Sequence, residues 1–174
     1  MKTTKPIAVY AIHGLLLKGG IDTHVMSAVK KLPFVEAPYE EAVSWTQWRE
    51  VRDDIVWAKS KGFYSGYAII GHSMGAGAAS YVTDYTKVDR VFLLDPAGQA
   101  MSPFGNNTGK ALDFWDRSFA LVFKYRPRLV SGQPASKLVQ YQSYLGHMGT
   151  TYDPTTIQII KANLQALAQD VGAA

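Results

Sequence analysis

Short apolar runs rich in β-branched residues alternate along this chain with longer segments of helical period, and this alternation narrows the choice of folds more than any other feature. "PIAVYAIHG", "FVEAP", "GYAIIG", "VDRVFLLD" and "KLVQYQS" read as five strands, with "FVEAP" the weakest. Between them lie stretches whose apolar residues recur every three or four positions. Asp22 is placed to cap a helix carrying Val25, Ala28, Val29 and Leu32. Ser44 and Gln47 have the spacing of a capping box before Trp48, Val51, Ile55 and Ala58, with Gly62 as the stop. A small-residue helix runs through Ala78 and Ala79 to Val82, and a further helix is expected over Leu112, Trp115, Phe119 and Val122. The last helix opens at Asp153-Pro154 and carries Ile157, Ile160, Leu164 and Leu167 on one stripe. Strand-helix alternation of this kind implies a mainly parallel sheet with helices on both faces. The expected architecture is a three-layer α/β/α sandwich on a small sheet of about five strands.

Composition fits that expectation. The 174 residues are 47% hydrophobic and only 18% charged, as in one compact domain spanning 1–174. Cysteine is absent, which removes disulfides, thiolate metal sites and a cysteine nucleophile. The four histidines show no metal-ligand spacing, and no phosphate-binding glycine loop is present, so cofactor-free chemistry is expected. The net charge of +4 is scattered, densest at Lys30-Lys31 and Tyr125–Arg128, which reads as solvated surface rather than a nucleic-acid patch. The N-terminal apolar run is short, contains Tyr10 and leads into His13-Gly14, so it reads as a core strand and not as a signal peptide. No run approaches the roughly 18 apolar residues of a membrane span.

In an open parallel sheet the ligand site lies beyond the carboxyl ends of the strands. Polar residues gather at those ends: His13-Gly14 after the first strand, His72-Ser73 after the third, Asp95 after the fourth, and His147 shortly after the fifth. "GHSMG" is a G-x-S-x-G turn between a buried strand and a small-residue helix, the setting that presents a serine as a nucleophile. A serine that merely forms a turn is the plainer alternative. Among the histidines, His72 is expected to point away from the serine, His13 belongs to the turn after the first strand, and His24 to a helix surface. His147, on a loop after a late strand, is where a base belongs. Asp95 competes with the plain role of Asp-Pro in closing a strand. Asp113 and Asp116 are expected on the helix after it, and Asp153 at a helix cap.

"IHG", "GHSMG", "LLDPAG" and "GHMG" together resemble the α/β-hydrolase family, and the resemblance spans nearly the whole chain. It implies a serine hydrolase with nucleophile, acid and base in chain order, here Ser73, Asp95 and His147. "GHSMGAGAA" followed by "LLDPAG" looks like the lipases whose acid follows the strand right after the nucleophile strand; many members carry it one strand later. The backbone N–H groups of Met74 and Leu15 would form the oxyanion hole. Residues 96–136 are expected to form a pocket wall or partial lid, and Leu16, Met101, Phe104, Trp115 and Met148 to contact an apolar acyl or alcohol group. The implied substrate is a small or lipid-like ester of short to medium chain. Thioester hydrolysis, acyl transfer and an inactive binding protein of the same fold are the alternatives.

Overall fold

The computed structural model describes residues 4–15, 21–98, 100–116 and 126–173. Seven parallel strands form one sheet: β1 (Ile7–His13), β2 (Val35–Glu36), β3 (Val43–Ser44), β4 (Gly66–His72), β5 (Val88–Leu94), β6 (Thr108–Asp116) and β7 (Leu138–Ser143). Their order is β2-β1-β4-β5-β6-β7, with the two-residue β3 pairing with the end of β1 through Ile12–Val43 and His13–Ser44. A π-helical turn, Ile21–Met26, runs into the short α1 (Ser27–Val29). It is followed by α2 (Trp48–Lys61), α3 (Met74–Tyr85), α4 (Gly149–Tyr152) and α5 (Pro154–Val171).

Period-two alternation in the strands builds the three layers. Val9, Ala68, Ile70, Phe92, Leu94, Leu112 and Phe114 face one cluster, closed by Val25, Val29, Ile160 and Leu164. Tyr10, Ile12, Ile69, Val91, Leu93 and Ala111 face the other, closed by Val51, Ile55 and Ala58 of α2 and Ala76, Ala79 and Val82 of α3. Both faces of β4 and β5 are therefore buried, which is why those strands are near-continuous apolar runs. Small residues bring α3 close to the sheet: a Cβ on Gly75 would collide with the Ile12 carbonyl, and one on Gly71 with the Gly75 backbone. Among the described residues no helix is long and apolar enough to cross a membrane.

The mainly parallel sheet is as expected, and the described residues form seven strands where about five were expected, β3 and β6 being the additional ones. Three expectations need correction. The helix expected over Leu112 and Trp115 is instead β6, hydrogen-bonded between β5 and β7, with Leu112 paired to Phe92 and Val139; Phe119 and Val122 lie outside the described residues. A strand flanked by partners on both sides and buried on both faces loses clean alternation, so its apolar spacing mimics a helix. Residues 96–136 accordingly do not form one excursion, since a core strand runs through their middle. Asp22 does not cap a helix; it sits inside the π-helical turn and accepts the Ala42 N–H at 2.7 Å. The Ser44–Gln47 capping box and the Asp153 cap with Pro154 behind it form as expected.

Candidate active site

Ser73 stands between the last residue of β4 and the first of α3, with φ 57° and ψ −123°. This is a conformation that L-residues rarely adopt and that costs on the order of 1–3 kcal/mol. Surrounding backbone holds it there: its N–H donates to the Leu94 carbonyl (3.0 Å), and its own carbonyl accepts from Ala76 (3.1 Å) and Ala97 (3.3 Å). Gly14, after β1, closes the other side. A Cβ there would lie 2.8 Å from Ser73 Cβ, 3.0 Å from Ser73 Oγ and 2.9 Å from the Met74 nitrogen. Only glycine lets the two turns approach so closely.

Asp95 directly follows β5, the strand beside β4, and is fully buried with φ 40°. Its N–H donates to the Phe114 carbonyl (2.7 Å), and its Oδ1 accepts the Asp116 N–H (3.0 Å). Its Oδ2 lies 2.6 Å from His147 Nδ1, and the His147 side chain is only 13% exposed. An ionised carboxylate at this distance fixes Nδ1 as the protonated nitrogen and leaves Nε2 as the acceptor. The expected Asp95–His147 contact is therefore present in the geometry, one strand from Ser73.

Two buried groups that sequence reasoning did not assign support the histidine. His72 packs against the loop that carries His147. Its ring lies 4.8 Å from that of His147, and its Nε2–H donates to the His147 carbonyl at 3.0 Å. Burial lowers the His72 pKa from 6.5 to about 4, so the ring is neutral at pH 7. Asp116, at the end of β6, accepts the Gly146 N–H on Oδ2 at 2.8 Å and so braces the loop that carries His147. The signal for Asp116 lay in "ALDFWD", whose second aspartate ends a strand once the segment is read with period two.

Parallel β4, β5 and β6 thus end on one line, and a polar residue from each meets the His147 loop. Among solved structures, the chain is similar to a protein of Xanthomonas campestris pv. campestris provisionally described as a hydrolase of the alpha/beta superfamily. Identity is 13% and the TM-score 0.55, over 95% of this chain and 99% of that one. A provisionally described YdeN-like hydrolase of Pectobacterium atrosepticum shows 18% identity and a TM-score of 0.51, over 93% and 92% of the two chains. The fold is that of an α/β hydrolase. At these identities the likeness extends to the fold alone. No family model matches the sequence, and neither does any curated protein.

In this α/β-hydrolase fold the remaining expected site residues separate. Met74 opens α3 half-buried, with Gly98 against its side chain. Leu15 is exposed in the turn after β1, where His13 Nδ1 lies 2.6 Å from the Gly14 carbonyl oxygen. Met148, half-buried, follows His147; Trp115 sits near the end of β6, with the Arg126 guanidinium 4.7 Å from its ring centre. Phe104 is a correction: it is fully buried in the α2–α3 core and bridges to Leu129, so it packs the interior instead of lining a pocket. Met101 is half-buried against the same cluster. Leu16 lies outside the described residues. His24 is exposed as expected, edge-on to Tyr152. Among the described residues no group of three His, Asp or Glu side chains is arranged to hold a metal ion.

Proposed function

We propose that the protein is a serine carboxylic-ester hydrolase in which Ser73 is the nucleophile, His147 the general base and Asp95 its orienting acid. One observation carries this reading: a serine held at φ 57° at the end of β4, next to a strand end from which Asp95 contacts His147 at 2.6 Å. A serine hydroxyl attacks an acyl carbon only when a base takes its proton, and Nε2 of His147 is the nitrogen that Asp95 leaves available. Attack forms a tetrahedral oxyanion at the amino end of α3, where the Met74 N–H, with that of Leu15, supplies donors. Proton return from His147 expels the alcohol, leaving an acyl group on Ser73. Water, deprotonated by the same imidazole, then releases the acid.

Trp115 and Met148, with Leu16, are the proposed contacts of an apolar acyl or alcohol group, and the substrate is a short- to medium-chain ester. Hydrolysis of p-nitrophenyl esters from acetate to palmitate tests the reading. The expected result is a maximum at short or medium chains that collapses to background in Ser73→Ala. Activity that survives Ser73→Ala would overturn it; background rates in both proteins would exclude simple esters and favour a thioester or amide substrate.

A further inference from the structure

A cavity of about 530 Å³ opens between α2 and the segment after β2. This volume is within the range of small-molecule sites. Its walls include the rings of Tyr39, Trp57, Phe63 and Tyr64 and the carboxylates of Glu36 and Asp54. It shares no residue with the Ser73 site. Tyr64 precedes β4 and Ser73 follows it, so the length of that strand, roughly 20 Å, separates the two.

The rings meet nearly at right angles. Trp57 and Phe63 are 5.1 Å apart at 75°, and Phe63 and Tyr64 are 6.5 Å apart at 84°. Tyr39 packs edge-on to the buried Tyr10. Because their planes differ, these pairs define no single flat slot for a planar ligand, and an aromatic face attracts a cation. Two carboxylates reinforce that attraction. Asp54 Oδ2 accepts from Tyr10 and Glu36 Oε1 from Tyr64, both at 2.8 Å. Burial and these carboxylates raise the pKa of both phenols, so they remain neutral donors. Among the described residues neither carboxylate forms an ion pair, and no Lys or Arg lines the cavity. Glu36 is exposed and Asp54 half-buried, so in a chain of net charge +4 the cavity lining is acidic, with two carboxylates and no basic side chain.

We propose that this cavity binds a small organic cation, an alkylated ammonium group seated among Tyr39, Trp57, Phe63 and Tyr64, with Glu36 and Asp54 supplying the counter-charge. The site is independent of catalysis at Ser73. Aromatic walls with carboxylates also suit sugars, and the test separates the two.

Calorimetric titration of the full chain at low salt compares choline with 3,3-dimethyl-1-butanol, its uncharged isostere, and with glucose. Choline is expected to bind at least about tenfold more tightly than the isostere, given the electrostatic share of cation–π attraction. Added sodium chloride weakens it. The Trp57→Ala variant, altered at a half-exposed side chain, is expected to lose about fivefold or more, and the double variant E36Q/D54N about tenfold. Ser73→Ala binds choline like the natural protein. Equal affinity for choline and dimethylbutanol, binding of glucose alone, or no saturable choline binding would each overturn the proposal. So would choline binding left unchanged by Trp57→Ala in a variant whose melting curve shows it folded.

Discussion

Ser73 occupies a backbone conformation that is favourable only for glycine, and the contacts described above hold it there. Relief of that strain, on the order of 1–3 kcal/mol, exceeds the roughly 0.5–1 kcal/mol of extra unfolded-state entropy that glycine brings. Ser73→Gly is therefore expected to be more stable than Ser73→Ala by about 1 kcal/mol in chemical denaturation, with both variants inactive. Equal stabilities would mean that the turn is not strained. The role proposed for Asp95 is different, and runs through the tautomer of His147. Asp95→Asn keeps the shape but lets the amide nitrogen face Nδ1, and kcat is expected to fall by roughly 10³–10⁴ with little change in KM.

Among the elements, β6 shapes the candidate site as much as the Ser73 turn does. Asp116 ties the end of that strand to both partners, its N–H on Asp95 and its carboxylate on the Gly146 N–H. Asp116→Ala leaves the Gly146 donor without its acceptor and frees the His147 loop. It is expected to lower kcat roughly ten- to a hundredfold while KM changes little, and steady-state kinetics on one ester checks this. Most elements were legible in the sequence because each carries a local signature: Val-Ile runs for β1, β4 and β5, a Ser44–Gln47 box before α2, and Asp153-Pro154 before α5. The strand-to-helix turn at Ser73 was legible for the same reason, since its glycines are adjacent in sequence. β6 was not, because a central strand owes its identity to neighbours distant in the chain, and with it went the placement of Asp113 and Asp116. The contact of His72 with the His147 loop was not legible for a related reason: which loop covers a side chain next to a turn, here residues 146–148, depends on the fold.

For the whole molecule, His72 couples the site to stability. Its pKa is about 4 when folded and 6.5 when exposed, so between these values the unfolded chain binds the additional proton. Stability thus rises with pH across that window and levels off above it. As pH falls from 6.5 to 4, up to about 3 kcal/mol is lost, because protonation would place an extra N–H on a buried Nδ1 that has no hydrogen-bond partner. His72→Gln is expected to be less stable at pH 7 but to lose less between pH 7 and 4.5. Parallel pH profiles for the two proteins would contradict the assignment. The proposed function rests on activation of Ser73 by His147. Its most direct test is labelling with a fluorophosphonate, read by intact mass and peptide mapping. A single adduct on Ser73, absent in Ser73→Ala and formed far more slowly in His147→Ala, is the predicted result; an unlabelled natural protein, or an adduct that persists in Ser73→Ala, would contradict it.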